Sequence, residues 1–468
     1  METLPRRVLV LGLGRSGEAV ARYLAEERDD GADVSVDVLD ESDGAEAQAR
    51  AEAARRLGAR VGLGATAVEG TFDLIVASPG IPPHSALMRS AVASGAPVIS
   101  EVEFAFRRSR SPFVAITGTN GKTTTTALVA HLLREAGKPA EAVGNIGTPA
   151  IGAVRDAGPA SVLVAEVSSF QLALTVDFRP RVALLLNITP DHADWHGSHE
   201  AYEADKAKLF ANMGAGDVAV IDVDDEGSAP WADRVEAQGV RVVRVSRTTL
   251  HPGGVSVVDE VITVDAPECR VGLAPVTELR IRGAHNVSNA LAAAAAALAM
   301  GAAPDAVRHG LASFSPIEHR LEPVGVVDSA EYYNDSKATN PDAVLKALTA
   351  FDDRPVVILL GGRNKGNDFG PLARAVSQRC STAILFGESA PQIQEAFPAD
   401  GCPTIECATL AEAVELAAAR AGAGDVVLLS PACASFDEFT SYEHRGASFR
   451  RLVEDLARKA RGAAEARS

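Results

Sequence analysis

The stretch Phe113 to Thr126, FVAITGTNGKTTTT, runs an apolar strand into a glycine-bearing loop and then into a helix, and it leaves few folds open. It is the phosphate cradle of an α/β domain. Loop glycines let backbone N–H groups approach phosphate oxygens, and the helix that follows adds unpaired N–H groups and the positive end of its dipole. Lys122 supplies a full positive charge, and Thr123 a hydroxyl of the kind that ligates Mg²⁺. The loop departs from the strict GxxxxGK[ST] pattern, because Ile116 stands five positions before Gly121. Leu128, Val129, Leu132 and Leu133 give the helix an apolar face, and Gly137 followed by Pro139 ends it.

A chain of 468 residues exceeds one ordinary core, so about three domains are expected. A net charge of −17 argues against nucleic acid and anionic membrane as partners, because their phosphates would be repelled. Cys269, Cys380, Cys402, Cys407 and Cys433 are odd in number and form no CxxC pair, which points away from a disulfide framework or zinc ribbon and toward a reducing cytoplasm. Arg6 and Arg7 followed by a short strand-like run and glycines do not make a secretory leader. The alanine-rich run Ala290 to Ala303 is too short to span a bilayer and reads as a packed helix.

In chain order, Val8 to Leu11 leads into Gly12-Leu-Gly14-Arg-Ser-Gly17, a strand, glycine turn and helix, and the second strand from Val34 ends at Asp40. GxGxxG followed by a strand-end carboxylate suits NAD(P), another nucleotide or sugar nucleotide, or a structural turn alone. Asp73 to Pro82 and Val98 to Ser100 complete a small open sheet, and Arg107 to Ser111 reads as a linker or a solvated charge run.

The central domain continues through the apolar strands Val162 to Glu166 and Val182 to Asn187. Glu166, where a strand emerges, is placed either to hold Mg²⁺ beside Thr123 or to cap a neighbouring helix. His192 gains weight only from Asp191, Asp194 and His196 nearby, and Lys206 reads by pattern as an ordinary helix lysine. Residues 216–280 read as a β-rich insertion without chemistry. Asn286 and Asn289 open the alanine-rich helix, where capping and adenine reading compete. Beyond Pro316 to Arg320, a third α/β domain carries three polar strand-end stretches at 334–340, 362–369 and 430–437, each either a solvated loop or a ligand contact.

TGTNGKTTTT, GNIGTP (Gly144 to Pro149), EVSSFQL, TPDHADWH, GAHNVSNALAA, EHRLE, NDSKATN, GGRNKGNDF and SPACASFDEF occur in that order. Together they resemble the Mur ligase family over essentially the whole chain. The cradle, EVSS, DH and HN…N segments are also shared with folylpolyglutamate synthases, whereas NDSKATN, KGxDF and SPACAS resemble the D-glutamate-adding branch. The resemblance implies three α/β domains: a Rossmann-like UDP-sugar-binding domain at 1–110, a central P-loop ATPase-type domain at 111–317 and a Rossmann-like amino-acid-binding domain at 318–468. It implies a cytoplasmic, monomeric enzyme of peptidoglycan precursor synthesis, independent of membrane and nucleic acid, that adds D-glutamate to UDP-N-acetylmuramoyl-L-alanine through an acyl phosphate.

By the same resemblance, ATP would meet Gly118, Thr119, Asn120, Gly121, Lys122, Thr123 and Thr124, with Asn286, Asn289, Arg320, Asp335 and Lys337. Thr123 and Glu166 would hold one Mg²⁺, and His192 and a carbamylated Lys206 a second. Lys122, His192 and Lys206 form the implied catalytic set. Ser16, Asp40, Ser78, Gly80 and Asn145 match the UDP-substrate site, Thr339, Lys365 and Ser435 the D-glutamate pocket, and His319 a structural or nucleotide-pocket position. Glu41 and Ser42 stand where some members have Thr-Arg, Ala173 where the family often has Glu, and Tyr442 where Phe is expected. The other readings are a sister Mur ligase or folylpolyglutamate-synthase-like ligase, an ATPase module without ligation, and an NAD-dependent dehydrogenase using Gly12 to Gly17. The last leaves the Lys122 loop unexplained.

Overall fold

The computed structural model describes residues 3–265, 270–315, 318–351 and 354–465, so Cys269, Pro316 and Ile317 lie outside the described residues. It contains three sheets. The first is all parallel, with strands β1 (Arg7–Leu11), β2 (Ser35–Asp40), β3 (Arg60–Leu63), β4 (Leu74–Ala77) and β5 (Val98–Ser100) in the order β3-β2-β1-β4-β5. β1 and β4 are almost wholly buried because helices cover both faces of such a sheet, and their unbroken apolar runs reflect that.

The second sheet has nine strands: β6 (Phe113–Thr117), β7 (Ala140–Gly144), β8 (Val162–Glu166), β9 (Val182–Leu185), β10 (Val218–Asp222), β11 (Arg241–Ser246), β12 (Val255–Val258), β13 (Val261–Asp265) and β14 (Arg270–Pro275). Their order is β14-β13-β12-β11-β10-β9-β6-β8-β7. Residues 216–280 are therefore not an insertion. β10 and β11 continue the parallel sheet beside β9, and β12 to β14 close its edge as an antiparallel meander. Short strands separated by turns look alike in sequence whether they stand apart or join a sheet.

The third sheet comprises β15 (Glu322–Val327), β16 (Ala330–Asn334), β17 (Val356–Gly361), β18 (Cys380–Phe386), β19 (Thr404–Cys407) and β20 (Val426–Ala432), in the order β15-β16-β20-β17-β18-β19. Only the β15–β16 pair is antiparallel. Packing divides the chain into two compact units, Met1–Leu279 with Ser288–Phe314 and Arg280–Val287 with Ser315–Ser468, so the first two sheets share a unit. Among the described residues no helix is long and apolar enough to cross a membrane.

The supposed linker at Arg107 and Arg108 is the end of a helix, Glu101–Arg108, that joins the first two sheets. Arg108 is buried, with Nε bonded to the Tyr23 hydroxyl at 3.1 Å. Phe106 packs edge-on against Phe113 and Phe178. Glu103, fully buried, accepts hydrogen bonds from the backbone N–H groups of Val176, Asp177 and Phe178 at 2.9–3.2 Å and from Arg107 at 2.7 Å. Amphipathic spacing hides this role, because the contacts are some seventy residues away. Glu103→Ala should strand these donors and lower stability by about 3 kcal/mol in urea unfolding, and a loss below about 1 kcal/mol would refute the brace.

Candidate active site

β6 delivers the cradle at the point where its neighbours are β8 on one side and β9 on the other, the place where parallel sheets gather ligands. Gly121 precedes the helix Lys122–Glu135 at φ +82°, and a Cβ there would lie 2.4 Å from Asn289 Oδ1, so only glycine fits. Asn187, just past β9, clamps the loop: its Oδ1 accepts from Asn120 N (2.8 Å), its Nδ2 donates to Asn120 O (3.1 Å), and its carbonyl accepts from Thr119 N (2.9 Å). The Thr119 hydroxyl accepts from Thr189 N and lies 3.0 Å from the Tyr202 hydroxyl. Thr123 and Thr124 are buried in the first helical turn.

Lys122 Nζ donates to the carbonyls of Gly118 (2.8 Å) and Thr119 (2.9 Å). Lys206 Nζ donates to the same Gly118 carbonyl at 2.9 Å. Two lysine side-chain nitrogens thus share one oxygen. Lys206 lies in the helix His199–Ala207, as its pattern indicates, but only 1% of it is exposed, unlike an ordinary helix lysine. Burial first, and then Lys122, push its pKa well below the usual lysine range. Its Nζ also sits 4.5 Å from the Tyr202 ring centroid.

Glu166 ends β8, 3% exposed, with Oε1 accepting from Asn145 Nδ2 at 3.1 Å. Its Oε2 is buried without a hydrogen-bond donor from the protein. The helix-capping alternative fails, because Ser168 with Gln171 already caps the helix Ser169–Ala173. A buried carboxylate oxygen left open on one side, near a hydroxyl-bearing phosphate loop, fits a hard divalent cation. His192 is exposed at φ +51°, its Nε2 3.5 Å from Asp191 Oδ2 and its ring 6.2 Å from that of Tyr202, so His192 and Lys206 flank the same tyrosine. The Asp194 side chain lies outside those described. His196 does not join His192 as a polar partner; it bridges Asp205 (2.8 Å) and the Ser169 hydroxyl (3.0 Å), and burial lowers its pKa. Among the described residues no three His, Cys, Asp or Glu side chains form a ready metal cage.

At the C-terminal ends of β1, β2 and β4 lies a cleft of about 500 Å³, lined by Gly12, Ser16, Asp40, Ser78, Gly80 and Asn145 among others. It brings together every residue expected to meet the UDP substrate. Asp40 holds the glycine turn, accepting from Leu13 N (2.5 Å) and Ser42 N (2.8 Å), while the Ser78 hydroxyl donates to Gly12 O (2.9 Å). Glu41, Ser42 and Arg15 also line it. Arg15 was missed by the motif reading although it stands inside the glycine turn, where its charge was visible. Asn145 reaches both this cleft and Glu166, linking the two sites within one unit.

The helix Ala284–Ala299 starts ahead of both asparagines, so neither Asn286 nor Asn289 precedes it as a cap. Asn289 accepts from the Thr125 hydroxyl at 3.2 Å, and Asn286 donates to Arg282 O at 2.7 Å. In the second unit, the polar stretches after β16, β17 and β20 converge because those strands are adjacent. Ala432 N donates to Ala338 O (3.0 Å), and Arg363 and Ala434 exchange backbone hydrogen bonds at 2.8 and 3.0 Å. These stretches carry Thr339, Lys365 and Ser435; Lys365 is exposed and Ser435 buried. Lys337 Nζ lies 5.4 Å from the Tyr442 ring centroid. His319 is buried, its Nδ1 2.9 Å from Asn334 Nδ2, with its carbonyl accepting from Lys337 N. Asp335 is buried, accepting from Ser430 Oγ (2.7 Å) and Leu321 N (3.3 Å), with Arg320 acting on it electrostatically.

Profiles of three domain families match the chain in order: the MurD-like N-terminal domain of Mur ligases at residues 6–100, the Mur ligase middle domain at 116–297, and the Mur ligase glutamate ligase domain at 319–433. The UDP-N-acetylmuramoylalanine–D-glutamate ligase of Pelotomaculum thermopropionicum is 44% identical over 453 residues, 96% of this chain and 98% of that one. The protein of the same name from Geobacillus kaustophilus is 41% identical over 456 residues, with the same coverage. Among solved structures, the UDP-N-acetylmuramate–alanine ligase of Thermotoga maritima shares the fold at 19% identity and a TM-score of 0.59, covering 96% of this chain and 99% of that one.

Burial raises the Asp335 pKa from 3.8 to about 7. The folded state therefore holds this proton more tightly than the unfolded state, and stability falls as pH rises from about 4 through about 7. Relative to Asp335→Asn, the protein should lose on the order of 3 kcal/mol between pH 5 and pH 8 in urea unfolding; parallel pH profiles would contradict the assignment.

Proposed function

The chain belongs to the Mur ligase family, and we propose on that premise that it is the ATP-dependent ligase that adds D-glutamate to UDP-N-acetylmuramoyl-L-alanine in peptidoglycan precursor synthesis. The observation that carries this reading is end-to-end likeness, at 37–44% identity, to relatives named for D-glutamate addition. The assignment of domains follows the three sheets: uridine nucleotide at 1–110, ATP at 111–317 and amino acid at 318–468. It acts as a cytoplasmic monomer, without membrane or nucleic acid.

In this reading the L-alanyl carboxylate oxygen attacks the γ-phosphorus of ATP, forming an acyl phosphate as the bond to ADP breaks. The amine of D-glutamate then attacks the acyl carbon, the C–O bond to phosphate breaks, and the amine gives up its proton as the amide forms. Carboxylate and triphosphate are both anions, so the site must absorb charge and fix geometry. Lys122, turned onto the loop carbonyls, is placed to transfer its hydrogen bonds to phosphate oxygens, and the N-terminus of the helix Lys122–Glu135 directs its dipole at the same loop. Asn289 braces Gly121, while Asn286, Arg320, Asp335 and Lys337 are assigned to the nucleotide.

Mg²⁺, which this family uses with ATP, supplies charge screening on the phosphates when bound. Thr123 and Glu166 would hold one ion, supported by the open, buried Oε2 of Glu166. His192 and Lys206 would hold a second. Lysine ligates an ion only after its neutral amine adds CO₂ and releases a proton to become a carbamate. The depressed pKa of Lys206 supports this by favouring the neutral amine. Lys122 beside it then balances the new negative charge.

The cleft at the first sheet takes the uridine nucleotide through Ser16, Asp40, Ser78, Gly80 and Asn145, and its volume suits one. Thr339, Lys365 and Ser435 supply the hydroxyl and cation donors that a dicarboxylate needs. A dehydrogenase reading of Gly12 to Gly17 gives the paired lysines no role.

Phosphate release from ATP should require both UDP-N-acetylmuramoyl-L-alanine and D-glutamate; release without either, or faster turnover with another amino acid, would overturn the specific assignment. Lys122→Ala should fold normally yet lose turnover by roughly a thousandfold, and near-normal turnover would remove the cradle from the chemistry. Lys206→Ala should be inactive and partly recovered by added acetate, whereas full activity without additive would rule out the carbamate.

A further inference from the structure

Arg445, in the first turn of the helix Tyr442–Glu465, is the largest fully buried side chain among the described residues, with 0% exposure. Its hydrogen-bond partners are neutral. Nε donates to Ser336 Oγ (3.0 Å), Nη2 to Ser336 O (2.9 Å) and Cys433 O (3.1 Å), and Nη1 lies 3.4 Å from Gly361 O. Among the described residues, no carboxylate lies within ion-pair distance of it. Asp437 and Glu438 influence it from farther away, and each accepts a backbone N–H elsewhere, from Glu388 and Leu410. Burial lowers its pKa to about 10, so it remains a cation at neutral pH.

A buried guanidinium with no carboxylate in ion-pair contact is costly, and packing alone would be better served by an apolar side chain. Its acceptors come from the polar stretches after β16 (Ser336, twice) and β20 (Cys433) and from the last residue of β17, Gly361. The Ser336 hydroxyl extends the tie by donating to Tyr442 O at 2.8 Å. Loops that hydrogen-bond to one rigid fork are held in register, and the charge behind them is felt by whatever binds in front.

We propose that Arg445 is the positioning residue of the amino-acid end of the reaction: it pins the loops after β16 and β20 and the end of β17, and supplies a buried positive charge, with no carboxylate among the described residues in contact, that selects an acidic amino acid. This deepens the reading above and rests on Thr339, Lys365 and Ser435 forming the amino-acid pocket. Arg445 does not touch the substrate; it acts through the loops and through its field. The carbonyl oxygens of Ser336 and Cys433 are turned onto the guanidinium and held there.

The test cancels the charge while keeping the loop ties. Cys433→Asp places a carboxylate beside the guanidinium, on the loop whose carbonyl already binds it, and Cys433→Asn is the neutral control of the same shape. Cys433→Asp should raise the KM for D-glutamate at least about tenfold and leave the KM for ATP and for UDP-N-acetylmuramoyl-L-alanine within about twofold. Cys433→Asn should leave all three within about twofold. Arg445→Lys, which keeps the charge and loses the fork, should lower kcat about tenfold or more with the D-glutamate KM held within about threefold. An unchanged D-glutamate KM in Cys433→Asp, an equal rise in all three KM values, or a rise in Arg445→Lys as large as in Cys433→Asp would overturn the proposal. Absence of any D-glutamate-dependent phosphate release by the unsubstituted enzyme would instead overturn the parent reading.

Discussion

One carbonyl oxygen, that of Gly118, receives both Lys122 and Lys206, and much of the first unit is arranged to make that possible. Two ammonium groups that close repel, the more so where water is scarce. The arrangement holds because the carbonyl dipole lies between them and burial pushes the pKa of Lys206 well down. Gly118 is itself at φ +156°, which aims its oxygen toward both lysines. The Thr119 hydroxyl beside the Tyr202 hydroxyl fixes the lysine-bearing helix to the loop. A site built this way is unfinished electrostatically until an anion joins it, and phosphate and carbamate are both anions.

The same logic recurs in each sheet with different means. In the first, the start of the helix Arg15–Asp29 borders a cleft whose Asp40 is engaged by backbone donors of the turn. In the second, the lysine pair does the work. In the third, a buried guanidinium ties the loops after β16 and β20. A net charge of −17 disfavours polyanions overall, and the candidate sites instead concentrate donors locally where parallel strands end.

The cradle, the apolar parallel strands and the polar stretches after β16, β17 and β20 were legible because their signals are local: a glycine beside a lysine, or an apolar run ending in Asn, Ser and Gly. The family resemblance then supplied roles that spacing could not. Lys206 shows why spacing fails, since its neighbours in the helix are ordinary and its burial comes from Gly118, 88 residues away. Arg445 is more remote still from Ser336, at 109 residues, and no periodicity connects them. Arg107 and Arg108 misled because two adjacent arginines look solvated, whereas Arg108 is turned inward by Tyr23 and Glu27. Residues 216–280 misled for the opposite reason: short strands carry no mark of the sheet they will join.

Four buried ionisable groups, Glu101, Lys206, Asp335 and Arg445, are each displaced toward their neutral form by desolvation. None is needed to fill a core that already contains long runs of fully buried aliphatic residues. Each costs stability, and each stands close to a ligand-facing loop: Glu101 accepts from Ile151 N at 2.7 Å just after the GNIGTP segment, Lys206 serves the cradle, and Asp335 and Arg445 meet the strand-end stretches of the third sheet. If packing alone governed these positions, apolar residues would stabilise the fold more. Their placement beside the candidate sites is what a trade of stability for a charged function would produce.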